Sequence, residues 1–464
     1  MIWQSSHFPF DIARLLCVLP ALCWMSGCST RTATQDVFMH TPGSWSAASA
    51  GNEGKISTGW LDGFKDHALK RCVNEALEHN RSLKAAAARM REAGAETILA
   101  RAQRLPSVGA GVGGGLREGS EDSRVQNYGL NLAARWELDL WGRLRDLTRA
   151  AEADERAAIE DFRGARLSLA ANAAKAYVNL VSAEQEVELA AFTLDSFEKN
   201  LRIVERTYKA TGDGALDIQF ARTNVSSAQR ALEARKQDRE TAARVVEVLQ
   251  GRYPDGGSRS LNQLPELPGS VPSGIPAEMI ERRPDLAAAR ARLCASANRA
   301  DAAKKNFLPR LSLTGTSGTS GARLGDLLNV DFLVSSITGQ VDQFLYDGGA
   351  RKAVTRAVLA RSERLTEEYA QLALEAFREV EATLSAEQSL VKQQRFLSQE
   401  VAQAGLAEKQ AERDYAEGVN SNILSVLEAQ RRASNARAAM IRLKNRRLQN
   451  RFDLHLALGG DFGN

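Results

Sequence analysis

The stretch "GAGVGG" (109–114) sets Gly109, Gly111 and Gly114 at the G-x-G-x-x-G spacing that lets backbone N–H groups cradle a pyrophosphate. That chemistry needs a buried strand before the glycines, a helix after them and an acidic residue about 20 positions on. Here the helical segment "AETILARAQRL" precedes them and stops at Pro106, the polar loop "REGSEDSR" follows, and no acid ends a strand further along. Other reactive side chains form no constellation. The histidines (His7, His40, His67, His79 and His455) are scattered, and no HExxH, CxxC, GKS/T or strand-borne G-x-S-x-G element occurs. No Met- or His-rich cluster suits a dedicated metal duct. These residues point away from an enzyme and imply no metal and no soluble cofactor. A formal net charge of +4 over 464 residues is nearly balanced, which speaks against nucleic acid. The basic run "RLKNRRLQNR" (442–451) lies on a helical pattern and reads as a solvated helix face.

Cysteine offers one further reaction. "LLCVLPALCWMSGC" (15–28) is apolar, too short to span a bilayer comfortably, and shaped like a secretion signal. Its end, Met25-Ser26-Gly27-Cys28, resembles a bacterial lipobox, although Met stands where Leu is usual. That resemblance implies a covalent lipid on Cys28 and removal of residues 1–27, with Cys17 and Cys23 among them. Ser29-Thr30 favours the outer membrane by analogy with other lipoproteins. The alternative is a simple signal peptide with an incidental cysteine. Cys72 and Cys294 then remain, both among apolar helical positions that suit buried thiols better than a disulfide.

The elements around these residues come in two copies. Residues 83–108 lie over 286–311 without a gap, with Leu105-Pro106 falling on Leu308-Pro309, an offset of 203. Thr148 matches Thr355 and Tyr208 matches Tyr415 at an offset of 207. Prolines mark the seam: Pro254, Pro265, Pro268, Pro272, Pro276 and Pro284 crowd one extended linker. Between Gly142 and Gly212, and between Gly349 and Gly418, there is none, and apolar spacing is helical: Leu167, Ala171, Ala174, Val178 and Val181 alternate steps of four and three. That average of ~3.5 is the coiled-coil period, and helices of ~65 residues would run on the order of 100 Å, too long for a compact enzyme domain. A second helix follows each rod, near 215–250 and 421–457.

Period two governs the glycine stretch. Val108, Ala110, Val112, Gly114 and Leu116 share one face, with Gly109, Gly111, Gly113 and Gly115 on the other. Tyr128, Leu130, Leu132, Ala134, Trp136, Leu138 and Leu140 alternate with polar or small residues. Strands of ~10 residues with one apolar face mark a transmembrane β-barrel. They are expected near 107–117, 126–140, 309–318 and 335–346. Four strands cannot close a barrel, and lipid tolerates no open edge, so several chains must combine, most simply as a ring. A soluble β-sandwich face is the bland alternative. The expected organisation is a signal (1–27), an N-terminal segment (28–60), a first repeat (61–250), a linker (251–283) and a second repeat (284–464).

Several segments are similar to the outer membrane efflux (TolC-like) channels, in the lipoprotein branch paired with resistance-nodulation-division pumps. They are "GIPAEMIERRPDLAAARARL" (274–293), "WELDLWGRLR" (136–145), "FLYDGGARKA" (344–353), "YAEGVNSNILSVLEAQR" (415–431) and "LALGG" (456–460). The resemblance implies a mixed α/β membrane protein: a homotrimer whose twelve-stranded transmembrane β-barrel continues into a twelve-helix periplasmic α-barrel, built from two repeats per chain. It implies a passive exit duct in the outer membrane, in contact with outer membrane lipids, a periplasmic adaptor (membrane fusion protein) and an inner-membrane pump. It places Asp217 and Glu428 at a narrow pore aperture, where six carboxylates would repel one another, raise some of their pKa values and favour cations. Glu428 stands where Asp is common, and a solvated helix residue or N-terminal cap is the bland reading of either acid. Protein secretion, or a periplasmic coiled-coil scaffold lipoprotein, are the competing functions, and the cargo is not legible.

Overall fold

The computed structural model describes residues 44–47, 59–118, 124–212, 214–260, 263–269, 276–417 and 422–460. It is mostly helical, with one sheet. The chain divides into two compact units.

The first unit draws on Ala100–Ala150 and Ser296–Ser362. It holds β1 (Ser107–Glu118), β2 (Arg124–Leu138), β3 (Arg310–Gly321) and β4 (Leu333–Asp342), antiparallel throughout and in the order β1-β2-β3-β4. Register decides what this sheet presents. Ala110 pairs with Leu132, Leu132 with Ser317, and Ser317 with Ser335, so the alternations of all four strands fall into phase. One face gathers Val108 and Val112, Leu130 and Trp136, Leu311 and Leu313, and Ile337 and Val341. The other gathers glycines of β1, Asn127 and Asn131, and Thr314, Thr316, Thr338 and Gln340. The apolar face is uncovered: Val112 is 71% exposed and Ile337 82%. β1 and β4 each pair on one side only.

β3 runs past the expected 318 to Gly321, whereas β2 and β4 stop short, ahead of aspartates that begin the following helices. β2 stops at Leu138, short of Leu140, since Asp139 accepts from the N–H of Leu144 (3.0 Å) and Arg145 (2.8 Å) and so caps α3 (Arg143–Thr211). β4 stops at Asp342, short of Tyr346. Asp347 accepts from the N–H of Gly349 (3.0 Å) and Arg351 (3.2 Å) ahead of the long helix Ala350–Ala416.

The second unit includes residues 59–99, Ala151–Ala295 and the chain from Glu363 onward. It contains α1 (His67–His79), most of α2 (Arg81–Ala102), most of α3, and α4 (Ala215–Leu249). It also contains α5 (Pro276–Arg282), α6 (Pro284–Lys305, in part), most of α7 (Ala350–Ala416) and α8 (Ile423–Ala457). Trp60, Leu61 and Phe64 bury against Leu69, Tyr177 and Phe452 in one core. Trp45 anchors a second core with Met279, Val380 and Leu454, and the N–H groups of Ser46 and Ala47 donate to the two oxygens of Glu381 (2.7 and 2.9 Å).

α4 and α8 end alike. Gly251 (φ 69°) and Gly459 (φ 67°) take the left-handed conformation, while Arg252 N–H reaches Glu247 O (2.8 Å) and Gly460 N–H reaches His455 O (3.0 Å). A side chain pins each terminus: Asn80 Nδ2 donates to Leu249 O (2.9 Å) and Arg283 Nη1 to Ala457 O (3.2 Å). Arg283 also forks onto Asp285 (3.1 and 2.7 Å) and reaches Glu379 (2.8 Å). Burial alone would raise the Asp285 carboxyl, but Arg283 outweighs it and holds the group below its usual value.

Candidate functional site

Four helix ends meet in one apolar cluster. Val204 near the end of α3, Ile218 at the start of α4, and Ile423, Val426 and Leu427 at the start of α8 are buried together, with Tyr415 of α7 packed on them. Asp217 precedes Ile218 and Glu428 follows Leu427, so the fold brings both acids to the same end of the helical unit.

Their surroundings differ. Asp217 is in the first turn of α4, behind the N-cap Gly214 (φ 96°), which supplies no side-chain cap. A carboxylate there faces the positive end of the helix dipole. Burial first, and then the charge of Asp217, raise the Tyr415 phenol above its usual range. Glu428 is held by its own helix: Arg431 and Arg432 each approach to 2.7 Å. Their hydrogen bonds, Arg432's first, keep the carboxyl below its usual value. Within one chain the pull is therefore opposite to the rise expected from mutual repulsion. Nor are the acids at matching depth. Asp217 is the third residue of α4 and Glu428 the sixth of α8, a step of ~4.5 Å at ~1.5 Å per residue.

Gly109, Gly111 and Gly114 lie inside β1, a strand and not a phosphate-binding turn. Cys28 lies outside the described residues. No disulfide joins Cys72 and Cys294, and burial pushes the Cys72 thiol up to about 12. The run 442–451 is only partly a solvated face. Arg451 is 4% exposed, shares Glu387 with Arg447 (2.9 Å each) and donates to Pro268 O and Gly269 O (3.2 and 2.6 Å). A helix of ~3.6 residues per turn turns half of any continuous basic run inward, and here an acid and linker carbonyls await it.

One feature escaped sequence reasoning. Gln430, 2% exposed, accepts from Asn200 (2.6 Å) and donates to Ser196 (2.9 Å) and Glu412 (2.7 Å), tying α3, α7 and α8 just behind the acids. Its signal was available: a polar residue on the apolar stripe of Leu427 and Ala433. Among the described residues no helix is long and apolar enough to cross a membrane, so any crossing there rests on the sheet.

The outer membrane efflux protein family model matches residues 72–252 and 275–460. The chain belongs to the outer membrane efflux protein family. Outer membrane protein OprJ of Pseudomonas aeruginosa is 31% identical over 97% of this chain and 96% of its own. The cation efflux system protein CusC of Escherichia coli O6:H1 is 28% identical, covering 96% and 97%. Among solved structures, a membrane protein from Pseudomonas aeruginosa superposes with a TM-score of 0.82 at 31% identity, covering 91% of this chain and 99% of that one. The outer-membrane channel OprN gives 0.81 at 26%, covering 92% and 98%. This member of the efflux family is an outer membrane channel. Its two matched spans leave out residues 253–274, the proline-rich reach.

Proposed function

We propose that three copies of this chain form the exit duct of a tripartite efflux system, passively conducting substrate delivered by a periplasmic adaptor and an inner-membrane resistance-nodulation-division pump. The observation that carries this reading is the four-stranded sheet with one in-phase apolar face and two unpaired edges. Every backbone polar group in lipid must be paired, so β4 needs the β1 of a neighbour, and an even strand number per chain keeps that junction antiparallel. Three copies give twelve strands and twelve long helices.

Internal duplication is supported by contacts as well as by spacing. Thr148 Oγ1 donates to Ala100 O (3.3 Å) and Thr355 Oγ1 to Ala303 O (3.5 Å), at the offsets of 207 and 203 legible in the sequence. Asn80 on Leu249 O answers to Arg283 on Ala457 O in the same way. Asp217 and Glu428 line the aperture in this reading, and Cys28 carries a lipid that Cys28→Ser would abolish in fatty-acid labelling. No cofactor is required.

Relatives at similar distance carry different loads in their names: pyoverdine at 28% identity, cations at 28% and solvents at 29%. That spread supports a duct whose cargo is chosen by its pump. The test is the mass of the complex extracted from outer membranes in mild detergent, with drug, metal and solvent susceptibility of a deletion strain. Three chains per particle and a changed susceptibility are expected; a water-soluble monomer would sink the proposal.

A further inference from the structure

β3 follows α6 and β4 leads into α7, so the connection between the two strands lies at the end of the sheet away from those helices. Connections are ordinarily polar. This one, "ARLGDLLNVDFL" (322–333), sets Leu324, Leu327, Leu328, Val330, Phe332 and Leu333 against the charges of Arg323, Asp326 and Asp331. Two 3-10 turns, Leu324–Leu328 and Val330–Phe332, give it a fixed shape. Asp326 accepts from the N–H of Arg323 (3.0 Å), and Asn329 Oδ1 accepts from the N–H of Asp331 (3.0 Å). The N–H groups of Asp326, Asn329 and Phe332 donate to carbonyls three residues back (3.0, 3.2 and 3.2 Å). Much of the backbone is thus satisfied within the segment itself.

Register shows which way the segment folds. Tyr128 pairs with Gly321, Leu130 with Thr319 and Thr319 with Leu333, which puts Gly321 and Thr319 on the apolar face of the sheet. Thr319 is buried beneath the first turn and its Oγ1 donates to Leu327 O (2.6 Å). A Cβ added at Gly321 would collide with Asp326. The first turn touches β3 and β2, the two inner strands, so it lies over the middle of the sheet and not along a free edge. The connection therefore folds outward over the apolar side of the wall.

Its level follows from the aromatic residues. Tyr128 and Trp136 stand on that face eight residues apart. The separation is ~27 Å along a strand, or ~21 Å of height at a barrel tilt of ~40°. Transmembrane barrels carry aromatic girdles above and below an apolar band ~25 Å tall. Tyr128 then belongs to the outer girdle, and Gly321, its partner across the ladder, puts the first turn at the same level. Leu327 turns in toward the sheet, whereas Leu328 and Val330 are 86% and 77% exposed, with Leu324 and Phe332 exposed beside them.

We propose that segment 322–333 is a ledge seated on the outer leaflet of the outer membrane, with Leu324, Leu328, Val330 and Phe332 inserted among lipid acyl chains at the head-group boundary. This rests on the lipid-facing sheet of the duct proposed above. A turn folded onto the face that meets lipid meets lipid as well. A neighbouring chain would join at β1 and β4, whereas the ledge lies over β2 and β3. Irregular backbone is not tolerated in the hydrocarbon core, which holds the ledge at the boundary, where apolar surface inserts ~5–10 Å. In that position it fixes how deep the sheet sits, since sinking would drag its backbone into hydrocarbon.

The experiment puts a nitroxide on Leu328→Cys or Val330→Cys of the full chain, in vesicles of phosphatidylethanolamine and phosphatidylglycerol. Both sites are exposed, so the label displaces no packing. The unsubstituted chain, labelled in parallel, supplies the background from Cys72 and Cys294. Ile337→Cys on the apolar face and Thr338→Cys on the polar face serve as references. Oxygen concentrates in lipid and a nickel chelate in water, so the ratio of their collision rates reads each label's surroundings. Labels at Leu328 and Val330 should give a ratio on the order of threefold or more above that at Thr338, close to that at Ile337. A ratio no higher than at Thr338, with Ile337 still high, would overturn the ledge and leave the lipid-facing sheet standing. Little collision with either reagent would mean that a second copy covers the segment, and would overturn it too. A low ratio at Ile337 as well would remove the sheet reading itself.

Discussion

His455 lies flat on Trp60, ring centroids 5.2 Å apart and planes 11° off parallel, and neither of its ring nitrogens has a hydrogen-bond partner among the described residues. Burial first, then the charge of Arg451, lower its pKa from 6.5 to about 4. Its folded value is depressed, so between pH 6.5 and about 4 the unfolded chain takes up a proton that the folded chain refuses. Stability present above that window is lost as pH falls through it, by at most ~3 kcal/mol. The urea midpoint of the detergent-solubilised protein should fall between pH 7 and pH 4.5, and His455→Phe, which keeps a ring on Trp60, should flatten the fall. An equal slope in the variant would assign it elsewhere. Asp285 and Glu387, whose arginines hold them below their usual values, lose their contribution only at lower pH. Motif resemblance offered Asp217 and Glu428 as aperture candidates, but it did not contain their difference in depth. Depth depends on where each helix starts, and Gly214 and Asn422 decide that through cap geometry.

Gly251→Ala places a Cβ 2.6 Å from His79 O in a residue held at φ 69°, so it meets both steric and conformational strain. A loss of about 1–3 kcal/mol is expected, read as a lower thermal midpoint of the helical signal. For the sheet, neighbouring residues of β4 face opposite ways: Ile337 pairs with Gly315 on the apolar side, Thr338 with Thr314 on the polar side. A lipid-facing Ile337→Arg should cost ~2–4 kcal/mol and deplete assembled protein in the outer membrane, whereas Thr338→Arg should assemble normally. Equal tolerance of both would mean that the apolar face does not meet lipid. Period-two alternation made strands recognisable along each segment, yet it could not stop them at the right residue. Asp139 and Asp347 do that by capping helices, a task invisible to hydrophobic periodicity.

In the proposed assembly, the aperture assigned to Asp217 and Glu428 is the place where single side chains should control flow. Replacing Asp217 and Glu428 together with Ala removes two carboxylates per chain and frees Arg431 and Arg432 from Glu428. Single-channel conductance in planar bilayers should rise and cation preference should weaken, by the logic of charged selectivity rings. Unchanged conductance and selectivity would remove both residues from the pore. The proposed assembly would account for the apolar surface left open on one chain, with Val112, Ile337 and Val341 of the sheet meeting lipid.

From its sequence alone, this chain determined which segments are rods and which are strands; the doubled pattern and the need for neighbouring strands belong to the proposed assembly. Each follows from periodicity along a local stretch, which side-chain geometry enforces without reference to distant residues. Only the tertiary structure decided that the four alternations fall in phase across one sheet, and that Arg447 and Arg451 turn inward to Glu387. It alone brought Asp217 and Glu428, more than two hundred positions apart, to one end of the helical unit. Register, burial of a charge and proximity are properties of pairs of segments, and a pattern read along a single segment does not contain them.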